Sequence, residues 1–413
     1  MTEPSKRLYD YQKDCVDQLA HGKKIVVVDV GLGKTPIAIS WAKRACAQTG
    51  KDKVLVISTP SKIKTNDFEN EMDDFLTPSF RKSLSLFDKV SWHSLHKWAD
   101  AHRKDFGQYV IIADELRRIA GVKTRMARSF LNIVKHNRTW AGFTATPGDE
   151  WINFCAYFIA TGLVKNKSDF LMKFCNMQSF KGWPEITSYK NIDLLERMWK
   201  SVSYAPDTSD IQAQIPDKIR KTVVFKRPAQ YIKTLKTKEK ADGAMLENAS
   251  AMAHYLRQLC FTKEKQEWIK DFLTDLGEPC VIFFNYTATA DKIEEIAKKA
   301  LPKGSKVWRI DGTHHAIPTA DTIGKTDIVL AQWQSGGEGL NLQFLHVYVA
   351  VELTYTYSQF YQSIGRISRI GQEHVMRLYG LIVENSIETA IVKCLQKKQD
   401  FAVKEWAVGE RIT

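Results

Sequence analysis

A strand that turns through glycines into a helix is the feature that most limits what this chain can form. Residues 25–28 read Ile-Val-Val-Val, Gly31 and Gly33 interrupt the following turn, and Lys34 and Thr35 open a helix-like stretch. Backbone N–H groups and the positive end of the helix dipole point at an anion in such a turn. Lys34 would reach the outer phosphates of a nucleotide, and the Thr35 hydroxyl would hold Mg²⁺. The pattern therefore predicts a phosphate-binding site.

The match to the usual phosphate-binding loop is incomplete. That loop carries a further glycine where this chain has Val28, and a Gly-Lys-Thr tripeptide alone arises by chance in many long chains. A glycine turn without a ligand is the alternative. The β-branched run before the turn and Pro36 near the helix start favour the nucleotide site.

The composition is ordinary for a globular protein with more than one core. The chain has 413 residues, of which 44% are hydrophobic and 26% charged, and this length suits two or three domains. No uncharged apolar run comes near the roughly 18 residues that a membrane span needs, and the N-terminus lacks the apolar run of a cleaved signal. The seven cysteines lie far apart without a Cys-x-x-Cys pair, as expected of reduced thiols in a cytoplasmic protein.

The net charge of +13 favours a polyanionic partner. The excess is concentrated between Lys218 and Lys240, a stretch with nine Lys or Arg and one acid, with Phe225 and Tyr231 interleaved. Residues 218–240 are called the basic segment below. A solvated basic face is the alternative. In a chain that also binds a nucleotide, however, we expect this segment to contact the phosphate backbone of a nucleic acid.

Short apolar runs alternate with helical periodicity in two parts of the chain. The predicted strands are 25–30, 54–57, 110–113 and 140–143 in the first part, and 280–284, 306–310, 327–331 and 346–351 in the second. Buried runs separated by helices predict parallel α/β sheets. From about 151 to 210, aromatics recur at helical spacing without clear strand runs, and 255–276 also has helical periodicity. We therefore expect an α/β fold of two similar lobes, 1–210 with a helical insertion at about 151–210, and 211–413.

Asp114 and Glu115 follow the predicted strand 110–113. The carboxyl ends of parallel strands are where an α/β sheet binds its ligands. Asp114 would hold the Mg²⁺ that bridges the phosphates, and Glu115 would orient and deprotonate an attacking water. An Asp-Glu pair at a strand end is, by itself, more often a helix cap. Combined with the Gly-Lys-Thr turn, the pair predicts hydrolysis of a nucleoside triphosphate.

Arg366 and Arg369 lie three residues apart, which would place them on one face of a helix. The guanidinium is planar and permanently charged, and it stabilises the charge on a transferring phosphoryl group. Without the motif around them, a surface pair would be the preferred interpretation. With the motif around them, we predict that they are catalytic together with Glu115.

The order of these motifs resembles that of the superfamily-two helicases, and within them the Swi/Snf-type DNA translocases. In the first half of the chain, the matching segments are 8–12, 29–35, 58–61 (motif Ia), 114–119 (motif II) and 144–147 (motif III). In the second half they are 215–218, 256–260, 309–312 (motif IVa), 335–342 (motif V), 365–372 (motif VI) and 386–388. The phosphate loop of that family also lacks the outer glycine, which accounts for Val28.

The resemblance implies two RecA-like lobes with ATP and Mg²⁺ bound in a cleft between them, completed by the two arginines when the lobes close. The nucleotide-binding residues that it implies are Gln12, Gly31, Gly33, Lys34, Thr35, Asp114 and Glu338, with Thr35 and Asp114 as metal ligands. The implied DNA-binding residues are Thr59, Lys62, Ser335 and Gly336, and the residues that would couple ATP to DNA are Thr144, Thr146 and Gln362.

The chain departs from the family pattern at three places. Arg117 stands where motif II has a histidine, so the usual link between ATP and motif III is unassigned. Thr146 gives a Thr-x-Thr spacing in place of the family's Gly-Thr. The connection 312–326 lacks the Arg-rich helix expected after motif IVa.

Three functions are compatible with the sequence. The leading one is an ATP-dependent translocase on double-stranded or branched DNA, held through its phosphates, acting in the cytoplasm at the nucleoid, or in a host cytoplasm if the chain is viral. A strand-separating or branch-migrating helicase is the second, although the 16 residues of 343–358 leave little room for a separating wedge. A non-motor clamp is the third, and the intact Lys34, Asp114 and Glu115 disfavour it.

Overall fold

The computed structural model describes residues 6–64, 67–76, 78–180, 183–336, 340–398 and 401–402. The chain divides into two compact units, Met1–Gln212 and Ala213–Thr413, and each has its own hydrophobic core. Each unit is built on a six-stranded sheet in which every strand pairing is parallel. The predicted α/β class with two parallel sheets is thus confirmed.

The first unit contains eight strands among its described residues. They are β1 (Ile25–Val27), β2 (Lys53–Ser58), β3 (Leu86–Ser91), β4 (Tyr109–Asp114), β5 (Trp140–Thr144), β6 (Cys175–Phe180), β7 (Trp183–Tyr189) and β8 (Ser203–Tyr204). The main sheet has the order β3-β2-β4-β5-β1-β8. All six residues of β4 are buried, as expected of a central parallel strand that is covered on both faces.

The helices of the first unit cover this sheet and form the region after β5. They are α1 (Asp10–Ala20), α2 (Lys34–Thr49), α3 (Pro60–Lys64), α4 (Asp67–Phe75), α5 (Pro78–Ser83), α6 (Leu95–Ala101), α7 (Arg125–His136), α8 (Trp151–Thr161), α9 (Lys167–Phe174), α10 (Ile192–Val202) and α11 (Ser209–Gln212). Two short 3₁₀ helices, Phe106–Gln108 and Leu116–Ile119, flank β4.

The region 151–210, predicted as a helical insertion without clear strand runs, also contains strands. Helices α8, α9 and α10 are present, but β6 and β7 form an antiparallel hairpin and β8 joins the edge of the main sheet. Most side chains of β7 are exposed. Such a hairpin buries no continuous apolar stripe, so its sequence carries little of the period-two alternation that identifies a half-buried strand.

The second unit has its own set of strands and helices. Its strands are β9 (Lys218–Phe225), β10 (Cys280–Phe284), β11 (Val307–Ile310), β12 (Ile328–Gln332), β13 (Val347–Ala350) and β14 (Met376–Val383). Its helices are α12 (Ala229–Thr237), α13 (Ala249–Leu259), α14 (Lys263–Leu276), α15 (Thr287–Ala300), α16 (Trp333–Gly336), α17 (Tyr357–Ile364) and α18 (Ile387–Gln396). The sheet order is β11-β12-β10-β13-β14-β9, so the start of the basic segment is an edge strand.

The helical periodicity over 255–276 corresponds to two helices. Helix α13 ends at Leu259, and α14 begins at Lys263 because the Thr262 hydroxyl accepts a hydrogen bond from the backbone N–H of Lys265. The side chain of Lys265 is fully buried, and its Nζ lies 2.9 Å from both carboxylate oxygens of Glu388. This ion pair joins α14 to α18 inside the core of the second unit.

Across the part of the chain that the structure describes, no helix combines the length and the apolar character needed to cross a bilayer.

Candidate nucleotide-binding and catalytic site

The loop between β1 and α2 depends on two glycines in the left-handed conformation. Gly31 has φ 81° and Gly33 has φ 70°, and Gly33 is the N-terminal cap of α2. A side chain is strained at such angles. A Cβ on Gly33 would also collide with Nε2 of Gln12. The two glycines predicted to cradle phosphate are therefore required by the shape of this loop.

Lys34 is folded back onto this loop. Its Nζ donates to the backbone carbonyls of Val28 and Asp29, each at 3.1 Å, and the residue is buried. Burial lowers the pKa of Lys34 to about 8, although the negative charge of Glu115 acts in the opposite direction. A buried ammonium held by two neutral carbonyls favours an anion nearby. Thr35 follows in the first turn of α2 and is half-buried.

The start of α1 is fastened to the same loop. Gln12 is 1% exposed; its Oε1 accepts from the Tyr9 N–H at 3.0 Å, and its Nε2 donates to the Gly33 carbonyl at 3.4 Å. The Tyr11 hydroxyl donates to the Leu32 carbonyl at 2.6 Å. The structure thus places Gln12 against the phosphate loop with both ends of its amide engaged by the protein. Its contact with adenine stays a prediction.

Asp114 is the last residue of β4, and its carboxylate is buried. It accepts a hydrogen bond from the Ser58 hydroxyl at 2.7 Å and forms an ion pair with Lys62 Nζ at 2.9 Å. Burial acts to raise the pKa of Asp114, but the charge and hydrogen bond of Lys62 and the Ser58 hydroxyl outweigh it, so the pKa is lowered. The carboxylate is therefore ionised and available to a cation.

Glu115 follows in the left-handed conformation, with φ 51° and ψ 50°. Such a conformation costs a residue with a side chain roughly 1–3 kcal/mol, and strain of this kind clusters at functional sites. The chain then enters the 3₁₀ helix Leu116–Ile119. The backbone therefore turns away from the direction of β4 at Glu115, immediately after Asp114.

Two of the predicted DNA-binding residues lie beside the nucleotide site. The side chain of Lys62 is 14% exposed and is paired with Asp114. Thr59 is buried, and its hydroxyl lies 3.5 Å from that of Ser61. Neither side chain projects from an open surface. Their contact with DNA stays a prediction.

Motif III lies at the carboxyl end of β5, next to the phosphate loop. The Thr144 carbonyl accepts from the Val28 N–H at 3.1 Å, and the Thr144 hydroxyl accepts from the Thr146 N–H at 3.3 Å. Among the residues described, the buried Thr146 hydroxyl oxygen makes no hydrogen bond. Sequence reasoning assigned both threonines to coupling, and the structure brings Thr144 into contact with the nucleotide loop.

Arg117 provides a link between motifs II and III that the sequence left unassigned. Its Nη1 donates to the Thr146 carbonyl at 3.5 Å, and its Nη2 lies 2.5 Å from Asp149 Oδ2. The residue that replaces the family's histidine therefore reaches motif III by a different pair of contacts. Asp149 is a site residue that sequence reasoning missed, and its only sequence signal is its position just after the Thr-Ala-Thr-Pro motif.

The two predicted catalytic arginines belong to the second unit. The expectation that they share a helix face is wrong, because α17 ends at Ile364 and Gly365 forms its C-terminal cap. Arg366 and Arg369 lie in the turns that follow. Arg366 is buried and its Nη1 lies 3.5 Å from the Leu340 carbonyl; the Nη1 of Arg369 donates to Asn341 Oδ1 at 3.1 Å.

Motif VI is hydrogen-bonded to the segment that follows motif V through a residue that sequence reasoning did not single out. The Nε2 of Gln372 lies within 3.0 Å of the backbone carbonyls of Gln343, Leu345 and Ile367. Gln362, predicted to couple ATP to DNA, is buried in α17. The backbone of Ser335 and Gly336 lies in α16, whereas Glu338 falls outside the described residues.

One half of the predicted site therefore lies along one edge of the main sheet of the first unit, the edge formed by the carboxyl ends of its strands. The carboxyl ends of β1, β2, β4 and β5 carry the phosphate loop, Thr59, the Asp114-Glu115 pair and motif III. This edge is where parallel α/β sheets bind their ligands. In the second unit, Arg366 and Arg369 both contact residues of motif V.

The chain is similar to known helicases. The conserved C-terminal domain of helicases matches residues 264–371. The chain is 23% identical over 450 residues to YqhH, an uncharacterized ATP-dependent helicase of Bacillus subtilis, and the match covers 94% of this chain and 77% of that protein. It is 30% identical over 128 residues to the DNA repair protein RAD5 of Yarrowia lipolytica, covering 30% of this chain and 12% of RAD5.

A solved structure is also similar. The SWI2/SNF2 ATPase core of Sulfolobus solfataricus, determined in complex with dsDNA, is 18% identical, with 96% of this chain and 92% of that chain covered and a TM-score of 0.45. The helicase domain and the likeness to YqhH over most of both chains support an ATP-dependent helicase. The chain is accordingly an ATP-hydrolysing enzyme.

Proposed function

We propose that this enzyme is a motor that moves along double-stranded DNA through contacts with the phosphate backbone, and that it remodels protein–DNA complexes or branched DNA. The observation that carries the proposal is the grouping of Lys34, Asp114 and Glu115 at one sheet edge, on a chain with a concentrated basic segment. In this proposal ATP supplies the energy, and the basic segment binds the phosphate backbone of the DNA.

The residues at the phosphate loop fit ATP and Mg²⁺. Lys34 is a buried cation beside a glycine loop at a helix N-terminus, and Asp114 is an ionised carboxylate at the adjacent strand end. Mg²⁺ is typically held by one or two protein ligands together with phosphate oxygens and waters, so Thr35 and Asp114 would suffice. Bound there, Mg²⁺ would neutralise the phosphate charge. Glu115 would accept the proton of the attacking water.

The basic segment offers cations at the surface and buries its aromatics. Phe225 and Tyr231 are 9% and 1% exposed, so they are core residues and not platforms for bases. Lys226, Lys233 and Lys236 are exposed. Arrays of lysines without accessible rings suit backbone phosphates, which carry no sequence information, so we expect weak sequence preference and strong salt dependence.

Replacing Lys226, Lys233 and Lys236 by Gln tests whether the basic segment binds the DNA backbone. The affinity for unrelated duplexes should fall about equally, and the slope of log K against log salt should flatten by about one for each phosphate that no longer meets a lysine. Replacing Lys298, Lys299 and Lys303, exposed lysines elsewhere in the same unit, removes the same charge and is the matched control. Equal effects in both triple variants would mean that the segment contributes to DNA binding only through the net charge of the protein.

A strand-separating helicase is the second candidate, and one observation favours it. The β6–β7 hairpin carries Trp183, whose side chain is 76% exposed, and an exposed ring on a hairpin can act as a wedge between bases. Between motifs V and VI, where the sequence leaves little room for a wedge, β13 occupies Val347–Ala350 and α17 begins at Tyr357.

Displacement of a third strand from a triplex separates the two candidates. A translocase displaces the third strand with ATP, is stimulated by duplex DNA and opens long plain duplexes poorly. Efficient unwinding of long duplexes that disappears in Trp183→Ala would favour the helicase. Absence of DNA-stimulated ATP hydrolysis with single-stranded, double-stranded and branched DNA would remove both motor functions.

A further inference from the structure

A cavity of about 430 Å³ lies on the second unit, apart from all the residues assigned above to ATP. It is lined by Lys240, Met245, Leu246, Glu247, Asn248, Ala251, His254, Tyr255 and Gln258. Pockets for small ligands span about 300–1,000 Å³, so this one is large enough for a nucleoside. It lies along α13, and Lys240, the last residue of the basic segment, is part of its lining.

Two of the lining rings are fixed by the protein. The Tyr255 hydroxyl accepts a hydrogen bond from the Ala241 N–H at 2.9 Å, and the Nζ of Lys240 lies 6.0 Å from the centre of the Tyr255 ring. His254 packs edge-on against Tyr286, with ring centres 4.7 Å apart. Rings that are already ordered lose little conformational entropy when a planar ligand stacks on them.

The other lining groups suit a base and its phosphate. Asn248 Oδ1 caps α13 by accepting from the Ala251 N–H at 2.9 Å, which leaves the side-chain nitrogen for a ligand. Gln258 and Glu247 add an amide and a carboxylate, groups that pair with the edges of bases. Lys240 supplies a cation for a phosphate. Together these groups match a nucleotide better than a purely apolar ligand.

The basic segment leads directly to this cavity. Helix α12, which carries Lys233 and Lys236, packs against α13. After α12 the chain forms a tight turn in which the Lys240 N–H donates to the Ala244 carbonyl at 2.9 Å, and this turn supplies one wall of the cavity. A phosphate backbone held by the segment's lysines would therefore end beside the two rings.

We propose that this cavity binds an unpaired base of DNA whose backbone lies on the basic segment. The inference rests on the proposed DNA function and deepens it. Bases inside a duplex are stacked on each other and do not enter such a cavity without being unpaired, which costs a few kcal/mol. The enzyme should therefore prefer duplexes that carry a single-stranded tail or branch over blunt duplexes of equal phosphate count.

The test compares the binding of blunt and tailed duplexes, with 2-aminopurine placed in the tail. Stacking of a base on an aromatic side chain corresponds to about a fivefold to a hundredfold change in affinity. We expect the wild type to bind the tailed duplex more tightly by a factor in that range and to change the 2-aminopurine fluorescence. Tyr255→Leu should lose both effects and bind blunt duplex as before.

Tyr255→Phe is the matched control, because it keeps the ring and removes only the hydroxyl. It should retain most of the preference for the tail. If Tyr255→Leu is poorly folded, His254→Ala at an exposed position tests the same cavity. Equal affinity of the wild type for blunt and tailed duplexes, or an unchanged fluorescence signal in both variants, would overturn the inference while leaving duplex binding intact. Failure of the wild type to bind any DNA would instead contradict the proposed function.

Discussion

The Nζ of Lys62 lies 2.9 Å from Oδ2 of Asp114, so an ammonium already neutralises the carboxylate predicted to bind Mg²⁺. The family resemblance placed Lys62 among the DNA contacts, and the structure places it on the nucleotide site. While this pair is formed, the ammonium competes with a metal for that oxygen.

We predict that Lys62→Met lowers the Mg²⁺ concentration for half-maximal ATP hydrolysis several-fold, because it removes a cation that competes for Asp114. A Mg²⁺ titration of the ATPase rate measures this. Lys64→Met, on the exposed side of the same short helix, is the control. If Lys62 also contacts DNA, the salt slope of DNA binding falls by about one in Lys62→Met. An unchanged or higher Mg²⁺ requirement would mean that the pair does not restrain Asp114.

The buried Lys34 predicts a pH dependence of nucleotide binding. Its pKa of about 8 lies below the ordinary 10.5, so the free protein loses this charge as the pH rises through 8. The affinity for a non-hydrolysable ATP analogue should then fall, by up to about tenfold per pH unit. The free fold should gain stability over the same range, because the unfolded chain binds the proton more tightly.

Calorimetry between about pH 7 and pH 9.5, a range that brackets the lowered pKa of Lys34 and stays below its ordinary value, checks the binding, and thermal unfolding checks the stability. Lys34→Ala should abolish binding at every pH with the fold intact. A flat binding profile in the wild type would show that Lys34 stays charged throughout this range.

Glu115→Gln should bind ATP with an affinity close to that of the wild type and fail to hydrolyse it. The amide keeps the size of the side chain but does not accept the proton of the attacking water. Single-turnover hydrolysis and equilibrium binding, measured on the same preparation, separate the two effects. Because Glu115 has φ 51°, Glu115→Gly is a useful comparison that relieves the backbone strain while it also removes the carboxylate. Wild-type turnover in Glu115→Gln would reassign the base.

Arg117 should act by positioning motif III rather than by contacting the nucleotide. Arg117→Ala removes the contacts with Thr146 and Asp149, and we expect it to reduce the stimulation of ATP hydrolysis by DNA more than the basal rate. Asp149→Asn should have a similar effect. In a double-mutant cycle the two changes should be far from additive, because they remove the same ion pair. Additive effects would show that the two residues act independently.

Arg366→Ala and Arg369→Ala should leave ATP affinity within a modest factor and reduce kcat steeply. Arginines that stabilise the transition state of phosphoryl transfer contribute about 10³–10⁵ in rate. Since Arg366 is buried against Leu340, thermal unfolding must accompany the kinetics for that variant. The more exposed Arg369 provides the cleaner measurement. Full activity of both variants would exclude them from catalysis.

The sequence predicted the elements whose signal is local. Ile25–Val27, the two glycines and Lys34 are close neighbours in the chain, so periodicity and turn chemistry were enough to identify the phosphate loop. The buried run of β4 identified the strand that ends at Asp114 for the same reason. In each case a short stretch of sequence contains all the residues that form the feature.

The features that the sequence missed depend on contacts between distant segments. Lys62 and Asp114 are separated by 52 positions, and no local pattern shows that they pair. The helix expected to carry both arginines was wrong because Gly365 ends α17 before the first of them, and the contacts with Leu340 and Asn341 hold the following turns. The β6–β7 hairpin is exposed, so it lacks the alternation on which strand prediction depends.

The parallel pairing of β9 with β14 has a consequence for synthesis on the ribosome. Lys218–Phe225 pairs with Met376–Val383, so the first strand of the second unit meets its partner only after about 150 further residues have been added. At roughly 5–20 residues per second this takes about 8–30 s. During that interval Ile219 and Val224, which stay more than half exposed even in the finished fold, belong to a strand without its neighbour. The nascent chain is therefore most open to mispairing with other nascent chains while the second unit emerges.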